Sequence, residues 1–275
     1  MNVLVATDGS KYGRWGLNWV ATLPFVEPVK VMALHVLDID AHRASFLAPR
    51  EIGRMEARSA RTLKEATRQL AALKLKGTAH KEHGVIAPVI LKRASKRDGF
   101  LVVGSQGLDA LDRFMLGSVS TKLIHHATCP VLVVKNEAVP LRRIALATDG
   151  SDASAHALEF VLTKFQPDRS TGKGGRAPIH VSVIHVMPFS NYQELKEARK
   201  LLKQSVQKLI QAGFTAEAVC QPGNPAEEIM KVAAKQHAEL IVMGAQGRGA
   251  IARFLLGSVS TRVVQHATCS VLVVR

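Results

Sequence analysis

Apolar residues in this chain come as short unbroken runs, separated by longer stretches in which they recur at helical spacing. Val3-Leu-Val-Ala-Thr7 closes in Asp8-Gly9-Ser10, which predicts a strand, a turn and a helix from there through Leu23. Lys30 to Leu37 predicts a second strand. Residues 50 to 76, rich in Ala, Leu, Arg and Lys with apolar positions at helical spacing, predict a long helix. A weaker strand is predicted over Thr78 to His83, a helix over Ala87 to Lys96, and a strand over Phe100-Leu-Val-Val103, a run too continuous for a surface strand and suited to a central parallel one. Ser118 to His126 predicts a helix reached through a Gly-Ser step, and Val131 to Val134 the last strand. Five strands alternating with four helices predict a parallel α/β sheet with right-handed crossovers.

The pattern then starts again. Arg143-Ile-Ala-Leu-Ala-Thr-Asp-Gly-Ser151 restates the N-terminus, Ile179 to Val186 restates the second strand, residues 191 to 212 the long helix, and Leu240-Ile-Val-Met243 the central strand. The segment from Arg113 to Val134 realigns on Arg253 to Val274 with six changes, four of them Met/Leu, Lys/Arg, Leu/Val and Ile/Val. A repeat this long is domain-sized, so each copy should carry its own core. We expect two tandem α/β units, 1–138 and 139–275, joined by a polar link containing Pro140. One insertion, the basic, glycine-rich Arg169 to Arg176, precedes the second strand of the second unit.

Composition fits two globular domains: 275 residues, 47% hydrophobic and 21% charged, with no apolar run of roughly 18 residues to span a membrane and no signal-peptide layout at the N-terminus. The expectation is a cytoplasmic protein. Cys129 and Cys269 occupy one equivalent position beside apolar strands and read as buried thiols, while Cys220 has no partner at disulfide or metal spacing. The net charge of +15 is shared, with 20 basic and 12 acidic side chains in residues 1–140 and 17 and 10 in the remainder, so there is no basic tail. Such a field favours anionic ligands in general.

The candidate chemistry sits at the ends of strands. Gly104-Ser-Gln-Gly107, nine residues, then Gly117-Ser118-Val119-Ser120 returns as Gly244-Ala-Gln-Gly247, nine residues, then Gly257-Ser258-Val259-Ser260. Closely spaced glycines at a strand end followed by a Gly-Ser step into a helix aim backbone N–H groups at one point, where an anion binds. In a doubly wound sheet Asp8 and Asp149 border the same crevice, where an acceptor suits ribose hydroxyls or an adenine amino group. Turn geometry would equally account for the glycines and the aspartates, and helix capping for the serines.

Other patterns compete less well. Lys92, Arg93, Lys96 and Arg97 form a basic stripe at i and i+4, the basis of an alternative nucleic-acid-associated reading, but aromatic residues do not interleave. His80 and His83 lack a third metal ligand, and His35 and His185 sit inside apolar strands, where packing or backbone bonding is expected. No nucleophile, base and orienting acid recur in both copies, so strong catalysis is not predicted.

The Val-Ala-Thr-Asp-Gly-Ser opening, the His-Val strand ending, the G-x-x-G, nine residues, G-S pattern and the closing Thr-Cys-Pro-Val-Leu-Val-Val together resemble the universal stress protein family, over the whole chain twice. The resemblance implies a five-stranded parallel sheet of order 3-2-1-4-5 in each unit, pairing of the units through their last strands, the option of a homodimer, and, in the ATP-binding branch, ATP with or without Mg2+. Carried over by position, Ala6, Thr7, Asp8 and Val36 hold adenine and ribose, and Val103, Gly104, Gln106, Gly107, Gly117, Ser118, Val119 and Ser120 hold ribose and phosphates. The matching positions in the second unit are Ala147, Thr148, Asp149, Val186, Met243, Gly244, Gln246, Gly247, Gly257, Ser258, Val259 and Ser260. The implied role is a stress response by nucleotide-dependent sensing or partner binding, with at most slow hydrolysis; a nucleotide-free scaffold is the other option.

The chain departs from the family pattern at Gln106 and Gln246 and at the entry to the first unit's third helix, and the copies differ from each other at Leu108 and Arg248. Gln106 and Gln246 stand where many members have Arg or His. Leu108 faces Arg248 in the alignment of the copies. The second unit has Gln221-Pro-Gly-Asn-Pro-Ala-Glu-Glu-Ile229 before its third helix, whereas the first has His83-Gly-Val-Ile-Ala-Pro-Val-Ile90, without the Glu pair. That difference points to the first unit as the weaker site.

Overall fold

A computed structural model describes residues 1–39, 48–94, 99–107, 116–167, 178–187, 192–247 and 256–275. Contacts group Met1–Ala21 with Pro28–Ala138 and Thr22–Glu27 with Val139–Arg275, as two compact units.

The first unit runs β1 (Asn2–Ala6), α1 (Lys11–Thr22), β2 (Lys30–Leu37), α2 (Pro49–Ala72), β3 (Gly77–His83), α3 (Ile86–Ala94), β4 (Gly99–Gly104), α4 (Ser118–His126) and β5 (Val131–Val134). Its strands lie in the order β3-β2-β1-β4-β5, all parallel. The second runs β6 (Arg143–Ala147), α5 (Asp152–Lys164), β7 (His180–Met187), α6 (Tyr192–Gln211), β8 (Thr215–Pro222), α7 (Pro225–Lys235), β9 (Leu240–Gly244), α8 (Ser258–His266) and β10 (Ser270–Val274). Its order is β8-β7-β6-β9-β10, again parallel. The expected 3-2-1-4-5 order therefore holds in both.

Right-handed crossovers explain where the helices go. The chain moves one way from β1 to β3 and the other way from β3 to β5, which puts α1 and α2 on one face and α3 and α4 on the other. Central strands are consequently covered on both sides. Val3, Val5, Leu101, Val102, Leu132 and Val133 are each at most 1% exposed, as are Ile144, Leu146, Ile241, Val242, Leu272 and Val273 in the second unit. The edge strand β3 is mostly exposed and carries His80, Lys81, Glu82 and His83, which is why its sequence signal was weak.

Local chemistry sets the helix ends. Ser10 Oγ accepts from Gly13 N at 3.3 Å and Ser151 Oγ from Ser154 N at 3.3 Å, so α1 and α5 begin after a serine cap. Pro49 occupies the first turn of α2, and Glu51 Oε2 accepts from Ala48 N at 3.1 Å. The predicted run to residue 76 stops at Ala72, because Lys74 takes a left-handed φ of 55° and Leu75 N donates back to Leu70 O at 3.0 Å. No glycine marks that stop, so the helical pattern overran it. Fully buried Trp19 anchors α1, its Nε1 donating to Asn136 O at 2.9 Å.

The two long helices can be matched residue by residue. Val31 pairs with Gly77 and Val181 with Ala216, which makes Ala216 the counterpart of Gly77. Counting back, Ser59, Ala66 and Leu70 of α2 fall on Ala198, Ser205 and Leu209 of α6, and all six are buried.

Candidate functional site

In each unit the strand order reverses between the first and fourth strands, and a crevice opens past their carboxyl ends. Asp8 lies two residues beyond β1, and its Oδ1 accepts from Ser10 N at 2.9 Å. Asp149 Oδ1 accepts from Ser151 N at 3.0 Å and from Ser151 Oγ at 2.6 Å. Each carboxylate thus shapes a turn with one oxygen, as Asx residues do. The other oxygen borders the glycine turn opposite: a Cβ added to Gly107 would sit 3.0 Å from Asp8 Oδ2, and one on Gly247 2.7 Å from Asp149 Oδ2.

The glycines divide into two kinds. A Cβ on Gly104 would come within 2.6 Å of Tyr12 Cβ, and one on Gly244 within 2.5 Å of the Ala153 carbonyl carbon. These two glycines let the first helix of each unit close on the strand, a packing requirement. Gly117 and Gly257 are different. They are the N-caps of α4 and α8, with φ/ψ of −62°/150° and −67°/158° that any residue adopts, and among the described residues an added Cβ would meet nothing nearer than 3.5 Å and 3.4 Å respectively. Neither backbone conformation nor packing against the described residues demands glycine there.

The caps correct one expectation, since the serines after these glycines do not cap. Ser118 and Ser258 are first helical residues, while the buried Ser120 and Ser260 hydroxyls donate to Gly104 O at 2.6 Å and Gly244 O at 2.9 Å. As glycines, these N-caps offer no side-chain acceptor to the first turn of α4 or α8. Those N–H groups form an electropositive helix terminus at the crevice.

The crevice of the first unit is a cavity of about 410 Å³ and that of the second one of about 640 Å³, both within the range of small-molecule sites. All twelve residues singled out in each unit line its cavity: Ala6 to Asp8, Val36, Val103, Gly104, Gln106, Gly107 and Gly117 to Ser120 in one, and their counterparts from Ala147 to Ser260 in the other. His35 Nδ1 lies 2.8 Å from Thr7 O and His185 Nδ1 2.8 Å from Thr148 O. A carbonyl only accepts, so Nδ1 carries the proton and each ring is tied to the backbone, as its strand position implied.

The sequence reading missed the helical wall. The first cavity is also lined by Met55 and Arg58 of α2 and by Ile86 and Ile90 of α3; the second by Glu194 and Glu197 of α6 and by Pro225 and Ile229 of α7. The i, i+4 apolar pair at the start of the third helix was a usable signal for half of these. The Glu pair near α7, by contrast, does not enter the cavity lining. Glu227 pairs with Arg262 at 3.4 Å and Glu228 with Lys231 at 2.6 Å, while Asn224 Oδ1 caps the helix by accepting from Ala226 N and Glu227 N. Its absence from the first unit therefore removes surface pairs and leaves an apolar wall in place.

Gln106 and Gln246 also differ. Gln106 is 7% exposed and its Oε1 accepts from Tyr12 Oη at 3.0 Å, with the Tyr12 ring edge-on to Trp15 at 5.1 Å. Ala153 replaces Tyr12 beside Gly244, so that hydroxyl has no counterpart. Leu108 and Arg248 lie outside the described residues, as does the insertion Arg169 to Arg176.

The remaining candidates resolve locally. His80 Nε2 is 2.8 Å from Thr78 Oγ1, and His83 Nε2 is 3.1 Å from Glu56 Oε1. A hydrogen bond from Lys81, with a second from His83, holds the Glu56 carboxyl below its ordinary range. Among the described residues no three His, Cys, Asp or Glu side chains are grouped to hold a metal. Of the basic stripe, Arg93 is paired with Glu82, and Lys96 and Arg97 lie outside the described residues. The three cysteines form no disulfide, and burial pushes the Cys220 thiol up, away from the reactive thiolate. No described helix is long and apolar enough to cross a membrane.

Comparison with known proteins agrees with the duplicated architecture. The family model described as universal stress protein family matches residues 1–135 and again 140–275. A universal stress protein of Mycolicibacterium smegmatis is 29% identical over 99% of this chain and 96% of its own length. The universal stress protein YxiE of Bacillus subtilis is 33% identical over 48% of this chain and 98% of its own length, the size of one unit. Among solved structures, a universal stress protein from Archaeoglobus fulgidus superposes with a TM-score of 0.74 at 21% identity, covering 100% of this chain and 96% of the other, a likeness of fold.

Proposed function

The chain belongs to the universal stress protein family, as two tandem domains, and we propose that each domain binds an adenine nucleotide, ATP in the first instance, at the crevice past its first and fourth strands. The observation that carries this reading is Gly117 and its copy Gly257. Each is a helix cap where, among the described residues, neither backbone nor packing calls for glycine, and it puts a helix N-terminus with no side-chain cap at a cavity of ligand size. A missing side chain at such a point makes room for phosphate to reach the N–H groups of residues 118–120 and 258–260. Asp8 and Asp149, across the crevice, supply acceptors for ribose hydroxyls or the adenine amino group. Ala6, Val36 and Ile90, with Ala147, Val186 and Ile229, supply apolar surface for the base.

In this reading Mg2+ accompanies ATP as its counter-ion. The histidine of each cavity is tied to a backbone carbonyl, and the donors are backbone groups that hold phosphate rather than activate water. The domains therefore act in stress adaptation by occupancy: nucleotide favours one state of the cytoplasmic protein, and that state meets a partner differently.

Isothermal titration with ATP tests the reading. The parent chain should bind two equivalents, and Gly117→Val and Gly257→Val should each remove one, with far-UV circular dichroism unchanged because an added Cβ there meets the described atoms only at ordinary contact distance. Two equivalents bound by both variants would refute the assignment of the site.

A further inference from the structure

The first unit carries a second cavity apart from its crevice, and we infer that it binds a compact oligophosphate, two or three phosphates joined in a chain and carrying no base. The cavity, of about 390 Å³, opens between α1 and α2, and among the described lining residues it shares only Thr7 with the crevice. Arg14 comes to it from α1 and Arg61, Lys64 and Arg68 from α2, with Glu65 the one carboxylate among its described lining residues. Gln69 ties the two helices together there, its Nε2 donating to Arg14 O and to Asn18 Oδ1, both at 2.8 Å. The walls are thus set before a ligand arrives.

Like charges gathered in one concavity repel each other and focus a positive potential, which a multivalent anion relieves. Among the described residues the side chains of Arg61, Lys64, Glu65 and Arg68 form no ion pair or hydrogen bond, and Arg14 donates from Nη1 to Gly9 O at 2.9 Å. The Asp8 carboxylate belongs to the crevice, between Ser10 N and the glycine turn. In the stretches 40–47, 95–98 and 108–115 of this unit, outside the described residues, Asp40, Asp98, Asp109 and Asp112 are matched by Arg43, Lys96, Arg97 and Arg113. Even the most acidic of them, 108–115, with Asp109 and Asp112 against Arg113, would leave the cavity net positive if placed beside it.

The arrangement also selects among anions. Helical rise sets Arg61 and Arg68 about 10 Å apart along α2, a spacing that suits phosphates in a chain better than a single one. Guanidinium forks grip phosphate two oxygens at a time. None of the described lining residues is aromatic, and the Lys11 ammonium lies 5.0 Å and 5.3 Å from the ring centroids of Tyr12 and Trp15 on α1, so bases find no open platform. Counted from Ser10 and Ser151, Ala155 stands where Arg14 does, and Lys200, Lys203 and Gln207 of α6 stand for Arg61, Lys64 and Arg68. The facing cation is therefore peculiar to the first unit.

Titration calorimetry of the full-length protein with sodium tripolyphosphate tests the site. One equivalent should bind with an affinity that falls at least about 10-fold in Arg61→Gln/Arg68→Gln and falls with rising salt. The same loss of charge on α6, Lys200→Gln/Lys203→Gln, should leave that affinity within about twofold. All four positions are exposed on helix surfaces, so far-UV circular dichroism should not change. Saturating ATP should leave the equivalent in place, and orthophosphate should bind at least about 10-fold more weakly. No binding, or binding that ignores the arginine changes and is lost only with Gly117→Val/Gly257→Val, overturns the inference and leaves nucleotide binding at the crevices untouched. Displacement by ATP, tetraglutamate or a short oligothymidylate as effectively as by tripolyphosphate overturns it too, in favour of a nucleotide tail, an acidic protein segment or a nucleic acid.

Discussion

The two crevices share a floor and differ in a wall. Strand ends, glycine turn, glycine cap and tethered histidine recur almost atom for atom: the histidine bond is 2.8 Å in both, and the Ser120 and Ser260 hydroxyls reach the same carbonyl. The long helix keeps its buried side, Ser59, Ala66 and Leu70 against Ala198, Ser205 and Leu209, and changes the residues that look into the cavity. Positions that the fold itself needs have been held in both copies. Positions on the long-helix side of the cavity have drifted, to the point of Arg58 standing where the second unit has Glu197.

Three measurements break or sharpen that comparison, beginning with the largest effect. Gly244→Ala drives a Cβ into the Ala153 backbone at 2.5 Å, while Gly104→Ala meets the Tyr12 side chain at 2.6 Å. Tyr12 Cβ is fixed to its own backbone, but it is the one described atom within 3.0 Å of the Cβ added at position 104, against three at position 244, so Gly244→Ala should cost about 3 kcal/mol in urea unfolding and Gly104→Ala about 1–2 kcal/mol. Equal costs would mean that the shared floor is softer than its geometry implies.

Next come contacts that only one unit has. Asn224→Ala removes the cap of α7 and should cost about 1 kcal/mol, read as faster hydrogen exchange in the first turn of that helix alone. Tyr12→Phe removes the hydroxyl that holds Gln106 and should cost about 1 kcal/mol in the first unit, with the second untouched. Loss of protection in both units after either change would show that the units do not melt independently.

The smallest effect is at the surface. Because Lys81 and His83 hold the Glu56 carboxyl below its ordinary range, the pair stabilises the folded state above the unfolded carboxyl's pKa of about 4.3, and that contribution is lost as pH falls below it. Glu56→Gln should therefore cost no more than about 0.5 kcal/mol at neutral pH, with the difference from the parent vanishing on acid titration. A difference that grows as pH falls would reverse the assigned sign.

What could be read from the chain depended on how local the cause was. The strands announced themselves because a parallel strand covered on both faces must be apolar throughout, so Phe100 to Val103 and Leu240 to Met243 stood out. The glycine caps were visible because their spacing recurs. The helical wall was not, since Arg58 and Glu197 sit on the polar sides of amphipathic helices and look like any solvated charge until the helix is laid against the strand ends. The Glu pair at Glu227 and Glu228, a feature of the family pattern, makes ion pairs outside the cavity lining, which on that helix comes from Pro225 and Ile229. The stop of α2 was hidden too, because a lysine takes the left-handed position that glycine usually marks.

The anchoring of α1 has an optical consequence. Trp15 and Trp19 are the only tryptophans in the chain and both lie on that helix. Trp19, sealed from water with its indole N–H bonded, should emit as a constant blue component. Trp15 stands edge-on to Tyr12, whose hydroxyl holds Gln106 at the first cavity, so its emission should shift when that cavity fills. Selective indole excitation is thus a label-free reporter of the first site, and loading of the second is spectroscopically dark.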